Sequence, residues 1–127
     1  MSELRHTLET EGGLIAGALG PGDAPADDAA LHVAAIREGQ RLHAGAPRLV
    51  TQADPDLALL AGDRLYALGL ERLAAAGDLE GVAALAEVIS ACAQALADGD
   101  PAGADAAWAT LVRDYGGAVA GRVPPGA

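Results

Sequence analysis

The three histidines, which could bind a metal ion together with carboxylates, are widely spaced along this sequence. His6 and Glu9 have the three-residue spacing of helical di-metal sites, but those sites combine two such pairs with further carboxylates. Neither of the other two histidines lies three residues from a glutamate, so a second, independent pair is missing. His32 and His43 are separated by three helical turns, or about 16 Å along a helix, which is too far for them to share one ion. We therefore predict no metal site.

The other candidates for chemistry have simpler structural explanations. Asp27 and Asp28 are adjacent, so on a helix their side chains point about 100° apart, and they suit the first turn of a helix, where its dipole favours acids. Cys92 belongs to an apolar pattern with no histidine near it in sequence, which indicates a buried, unreactive thiol. The short motifs of phosphate-binding loops, dinucleotide sites, zinc proteases and serine hydrolases do not occur. We predict no catalytic residue and no cofactor, and the sequence favours a non-catalytic protein over an enzyme without deciding between them.

The composition indicates one helical domain. A chain of 127 residues with 51% hydrophobic content can build a single core. The apolar residues are mostly Ala, Leu and Val, with no Phe and only two Tyr, which favours closely packed helices over a sheet.

The charge and the apolar pattern exclude several classes of partner. The net charge is −10 and every basic residue is Arg, so a nucleic acid would be repelled. A single cysteine allows no internal disulfide, as is usual in a reducing cytoplasm. The charged N-terminal residues do not resemble a signal peptide, and no apolar stretch approaches the length of a membrane span. We expect a cytoplasmic protein with no membrane span.

The elements that must position these residues are marked by helix caps. Asp54-Pro55 and Asp100-Pro101 pair a capping acid with a proline suited to the first helical position, and Asp78 follows Gly77 in the same role. These signals and the apolar spacing predict an all-α, single-domain bundle of about five helices over residues 1–127, with 121–127 as a frayed tail. The predicted helices cover approximately 3–19, 26–44, 55–76, 79–97 and 102–120.

Three of these helices carry a stripe of apolar or small residues at spacings of three and four. Glycines in the first stripe allow another helix to approach closely. The helix over 79–97 is polar only along the narrow row of Glu80, Glu87 and Gln94, so neighbouring helices or a second chain must cover much of it. The stripes are Leu59, Gly62, Tyr66, Gly69 and Leu73; Val82, Leu85, Ile89, Cys92 and Leu96; and Trp108, Leu111, Tyr115 and Val119.

The segment Leu-Leu-Ala-Gly-Asp-Arg-Leu-Tyr-Ala-Leu-Gly-Leu-Glu-Arg-Leu-Ala, residues 59–74, resembles the trans-polyprenyl diphosphate synthases. A looser likeness runs on to the closing Tyr-Gly-Gly-Ala-Val-Ala-Gly of residues 115–121. The resemblance implies the all-α isoprenoid synthase fold. Where the family has its first aspartate-rich motif, this chain reads Leu42-His43-Ala44-Gly45, and the second motif would fall beyond residue 127. The family's lysine-threonine pair is also missing, because the sequence has no lysine.

The resemblance therefore implies the scaffold without the magnesium ligands that the synthase reaction requires. On this basis we expect a non-catalytic, small or regulatory subunit of a prenyl diphosphate synthase, or a stand-alone homodimer. Its partner would be a catalytic polyprenyl synthase chain or a second copy of itself. The predicted interface residues are Gly62, Tyr66, Gly69, Val82 and Ile89.

An alternative function is binding of an apolar, isoprenoid-like ligand in a pocket between Tyr66, Trp108 and Tyr115. Ligand pockets of this kind are concave and apolar, with a few polar groups at the mouth. The competing interpretation is that these aromatic side chains only fill the core. A third alternative is an enzyme that uses Asp63 and Arg64. The simpler interpretation is that both residues lie on the polar flank of their helix.

Overall fold

The computed structural model describes residues 3–23, 31–51 and 54–119, and describes side chains as far as residue 110. This part of the chain is all-α, as predicted, and contains six helices rather than about five. The helices are α1 (Glu3–Glu11), α2 (Gly13–Gly17), α3 (Leu31–His43), α4 (Pro55–Ala75), α5 (Leu79–Ala97) and α6 (Pro101–Val119).

The sixth helix arises because the first predicted helix is broken. Gly12 and Gly13 have φ angles of 71° and 77°, in the left-handed region that glycine adopts without a steric penalty. The amide of Gly12 donates to the carbonyl oxygen of Leu8 at 3.2 Å and closes α1. The helix predicted over 3–19 is therefore interrupted at Gly12 and divided into α1 and α2.

The three predicted helix caps are confirmed. Asp54 accepts a hydrogen bond from the amide of Asp56 at 2.9 Å, and Asp78 accepts from the amide of Gly81 at 2.8 Å. Asp100 accepts from the amide of Gly103 at 3.2 Å. Each cap satisfies an amide that the first helical turn leaves without a partner, so α4, α5 and α6 begin within one residue of their predicted positions.

The glycine stripe of α4 packs against α3 of the same chain. A Cβ atom on Gly62 would lie 3.1 Å from the carbonyl oxygen of Gly39, and one on Gly69 would lie 2.8 Å from that of His32. Glycine on both helices thus allows the two backbones to meet, and the predicted close approach is intramolecular. Leu59, at the start of the stripe, is instead 53% exposed.

The core is divided into two clusters, and α3 and α4 contribute side chains to both. The N-terminal core joins these two helices to α1 and to the segment before α4; it contains Leu4, Leu8, Leu31, Leu42, Leu49, Val50, Leu65 and Leu68. The C-terminal core joins them to α5 and α6; it contains Val33, Ile36, Leu73, Leu85, Val88, Cys92 and Trp108. The predicted inward position of Trp108 is confirmed, whereas the side chains of Leu111, Tyr115 and Val119 lie outside the described part of the chain.

Helix α5 is long and apolar enough, by length and composition, to cross a membrane. It has 19 residues, and its most apolar window has a mean hydropathy of 1.4. The sequence-based expectation that no stretch approaches the length of a span therefore does not hold for this helix. About a third of the window is buried, 33%, with Leu85 and Cys92 in the C-terminal core, and core helices of globular proteins often meet the same criterion.

A candidate ligand-binding cavity

A cavity of about 540 Å³ lies where α3, α4, α5 and the start of α6 meet. This volume falls within the range of about 300–1,000 Å³ found for small-molecule sites. About half of its lining residues are small or apolar, and the other half are polar or charged. The lining includes Arg37, Arg41 and His43 of α3, Tyr66 of α4, Cys92, Ala93 and Leu96 of α5, and Ala104 and Asp105 of α6.

Two arginines, one helical turn apart, form the α3 wall of the cavity. The guanidinium carbon of Arg37 lies 4.6 Å from the ring centroid of Trp108, a distance at which the aromatic face attracts the cation. The Arg41 side chain is only 14% exposed, and one of its terminal nitrogens lies 3.9 Å from a carboxylate oxygen of Glu38. The indole and the surrounding helices therefore restrict both guanidinium groups.

Tyr66 presents a neutral phenol to the cavity. Its ring makes an edge contact with the imidazole of His43, with 5.1 Å between centroids and 89° between planes. The same imidazole lies 3.2 Å from the carbonyl oxygen of Leu59 and 3.4 Å from a carboxylate oxygen of Asp63. Burial raises the pKa of Tyr66; the negative charge of Asp63, and that of Cys92 once its thiol ionises at high pH, raise the pKa further. Tyr66 can therefore donate a hydrogen bond at neutral pH.

Cys92 also lines the cavity, and its surroundings favour the neutral thiol over the thiolate. Burial raises its pKa above the ordinary value of 9.0. Trp108 and the charge of Arg37 oppose the rise, and the carboxylate of Asp105 adds to it. Because the thiolate is the reactive form, these surroundings suit packing rather than nucleophilic attack.

No sequence pattern predicted the buried Glu38, whose carboxylate binds the segment between α3 and α4. It accepts hydrogen bonds from the backbone amides of Arg48, Leu49 and Val50 over 2.9–3.1 Å. The residue is 0% exposed. Val50 forms an antiparallel bridge with Leu19, so this carboxylate also fixes the loop after α2. A charged residue in the polar pattern of an amphipathic helix would ordinarily be placed at the surface.

The structure does not bring the sequence-predicted site residues together at one site. Tyr66 lines the cavity, and Trp108 lies behind Arg37 in the C-terminal core. Tyr115 lies outside the residues whose side chains are described. The predicted interface residues Gly62 and Gly69 are buried against α3 and present no surface to a second chain.

Val82 and Ile89, the remaining predicted interface residues, are half-buried beside the C-terminal core. They belong to a row on α5 with alternating spacings of three and four, the spacing of a coiled-coil seam. The ends of this row are largely exposed, Leu79 at 72% and Leu96 at 52%. The row comprises Leu79, Val82, Ala86, Ile89, Ala93 and Leu96.

A second groove, of about 510 Å³, lies between α1, α2 and α4. Leu60 at its border is exposed, and Arg64 contacts Glu11 across it at 3.3 Å. Arg64 also lies 3.5 Å from Glu71, and Asp63 is exposed, so both residues occupy the polar flank of α4. Within the described ranges, no group of three or more His, Cys, Asp or Glu side chains is arranged to hold a metal ion.

Comparison with known proteins identifies no relative: no family model, no curated protein and no solved structure matches the chain. The likeness to polyprenyl synthases therefore remains a hypothesis based on the sequence. The cavity and its lining are the observations from which a function can be argued.

Proposed function

We propose that this protein binds a small apolar molecule in the cavity between α3, α4, α5 and α6, and does not transform it. The observation that carries the proposal is the cavity itself, which has the volume of a small-molecule site and an apolar wall formed by Ala93, Leu96 and Ala104 beside its polar residues. The resemblance to polyprenyl synthases predicts an isoprenoid chain as the apolar molecule.

The chemistry of the lining supports binding over catalysis. Burial keeps both Tyr66 and Cys92 in their neutral forms, so neither is activated as a nucleophile at neutral pH. A neutral phenol can still orient a ligand through one hydrogen bond. The position of Trp108 behind Arg37 supports a role in the core and in holding the guanidinium group, rather than direct contact with the ligand.

Calorimetric titration with farnesol tests this proposal. Phenylalanine at Ala93, an exposed position on the cavity wall, should fill part of the site and weaken binding by about tenfold or more, equivalent to about 1.4 kcal/mol. The matched control is Ala83→Phe, on the exposed polar side of the same helix, which should leave the affinity unchanged. Equal affinities for the two variants, or no binding to the wild-type protein, would contradict the proposal.

A second candidate function, association through α5, is favoured by the exposed row that begins at Leu79 and ends at Leu96. Apolar side chains at this spacing are usually covered by another helix. The covering chain would be a second copy, or the catalytic polyprenyl synthase chain that the resemblance predicts. Gly62 and Gly69 take no part, because α3 covers them.

Sedimentation analysis over a range of concentrations tests self-association. Leu79→Glu places a charge in the row without harming α5, since acids are favoured in the first turn of a helix. Leu60→Glu is the control, because Leu60 is similarly exposed on α4. We expect a wild-type dimer, a Leu79→Glu monomer and a Leu60→Glu dimer. A wild-type monomer at the highest concentration would exclude self-association.

A further inference from the structure

The ring of Tyr66 is fixed beside the cavity by two contacts with α3. It packs on Gly39, where an added Cβ atom would lie 2.9 Å from two of the ring carbons, so a larger residue would displace it. The imidazole of His43 meets the ring at right angles, with 5.1 Å between centroids. A side chain that is already held in position loses little conformational entropy when a ligand binds.

The hydroxyl group of Tyr66 is available to a ligand. Among the described residues it has no hydrogen-bond partner, and protein atoms do not fully enclose it. Because burial raises its pKa, the group keeps its proton at neutral pH and can donate. Tyr66 therefore offers the cavity one neutral donor in a fixed position.

The charged side chains of the lining balance one another. Arg37 and Arg41 on α3 are matched in number by Asp100 and Asp105 at the start of α6, and the buried carboxylate of Glu38 lies beside Arg41. An ionised ligand group would meet charges of its own sign as well as of the opposite sign, so little would offset the cost of removing it from water. The lining favours a ligand with no formal charge.

We propose that the ligand of this cavity is an apolar carbonyl compound, a ketone, aldehyde or ester, whose carbonyl oxygen accepts a hydrogen bond from the hydroxyl group of Tyr66. The inference rests on the proposed binding function and names the chemical class of the ligand and the residue that selects it. The apolar part of the molecule lies against the wall formed by Ala93, Leu96 and Ala104.

A carbonyl group suits the site better than a hydroxyl group because acceptors are scarce near Tyr66. The indole nitrogen of Trp108 is fully enclosed, and no oxygen or nitrogen atom of the described residues accepts its proton. Its indicated partner is the sulfur of Cys92, which is a weak acceptor. A ligand hydroxyl would add another donor that needs a partner, whereas a carbonyl oxygen only accepts.

Titration with acetophenone and α-methylstyrene tests the inference. The two probes have the same shape, and a methylene group replaces the carbonyl oxygen in the second. The emission of Trp108, the only tryptophan, reports binding because this residue packs in the same core cluster as Cys92 of the cavity lining. We expect Tyr66→Phe to weaken acetophenone binding about fivefold, the contribution of one hydrogen bond, and to leave α-methylstyrene binding unchanged.

Gln40→Met is the matched control. Gln40 also lines the cavity and carries a neutral donor, but its side chain is longer and must lose more rotamer freedom to bind a ligand. This variant should leave both affinities unchanged. As a direct readout, the infrared carbonyl band of isotope-labelled acetophenone should lie at lower frequency when bound to the wild-type protein than when bound to Tyr66→Phe, because a donated hydrogen bond weakens the carbonyl bond.

The outcomes separate the inference from the function on which it rests. Equal weakening of both probes by Tyr66→Phe would indicate lost packing, and would overturn the carbonyl assignment while leaving the cavity as an apolar site. An unchanged acetophenone affinity or an unchanged carbonyl band in this variant would also overturn it. Failure of the wild-type protein to bind farnesol and both probes would refute the proposed function, and the inference with it. Thermal unfolding of each variant checks that the fold is intact.

Discussion

Replacing Glu38 with glutamine should destabilise the protein more than any other change of a single charged group to its neutral isostere in the described part of the chain. The carboxylate is fully buried and accepts hydrogen bonds from three consecutive backbone amides, those of Arg48, Leu49 and Val50. The substitution changes neither the shape nor the volume of the side chain appreciably, so its effect isolates the charge and the second acceptor oxygen.

The magnitude follows from the donors that lose their acceptor. Hydrogen bonds to a charged group contribute about 1.5–3 kcal/mol each, and a buried donor left without a partner costs a similar amount. Glutamine retains one acceptor oxygen for one or two of the three amides, while its own amide group faces the remainder. We therefore expect the free energy of unfolding to fall by about 3 kcal/mol.

Urea denaturation measures this loss. With a slope of about 1.5 kcal/mol per molar urea, the midpoint should fall by about 2 M. Amide hydrogen exchange at residues 48–50 should also accelerate, since these amides lose their acceptor. Glu87→Gln, at an exposed site on α5, is the control and should shift the stability by less than about 0.5 kcal/mol. A midpoint shift for Glu38→Gln below about 0.5 M, with an unchanged slope, would refute the reasoning.

Three further perturbations test the packing, the capping and the thiol. Gly69→Ala should lower the free energy of unfolding by about 1–3 kcal/mol, because the new methyl group would meet the α3 backbone. Gly17→Ala is the control: no atom lies within 4 Å of the new methyl group, so its stability in thermal unfolding should be unchanged or higher. Equal losses of stability in the two variants would contradict the α3–α4 packing. Asp78→Ala should lower the free energy of unfolding by about 1 kcal/mol, because α5 loses its N-terminal cap. Asp98→Ala, at the opposite end of α5, should cause no such loss. Similar losses of stability in the two variants would contradict a capping role for Asp78. Burial raises the pKa of Cys92 above 9.0, so the thiolate forms less readily in the folded chain than in the unfolded chain. The stability that the buried neutral thiol contributes is therefore present below pH 9.0 and falls as the pH rises through the folded-state pKa. A thiol reagent should label the native protein much more slowly than the unfolded chain at about pH 8, and equal rates would refute this.

The sequence alone determined the features that depend on neighbours close in the chain. An aspartate cap interacts with an amide two or three residues ahead, so the starts of α4, α5 and α6 were readable from Asp-Pro and Gly-Asp pairs. The Ala- and Leu-rich composition determined the all-α class. The glycine stripe of α4 determined that a helix would approach closely, since spacing within one helix fixes which residues share a face.

Only the tertiary structure decided which groups from distant parts of the chain meet. The glycine stripe alone did not reveal that α3 covers it. Glu38 holds amides that lie 10–12 residues away across an irregular segment, where no periodic pattern relates the partners. Arg37 and Arg41 could be placed on one face of α3, but the cavity beside them exists because α5 and α6 close the opposite side. Capping and helical periodicity are local interactions, whereas a cavity and a buried carboxylate depend on how complete helices pack, and that information is spread over the whole chain.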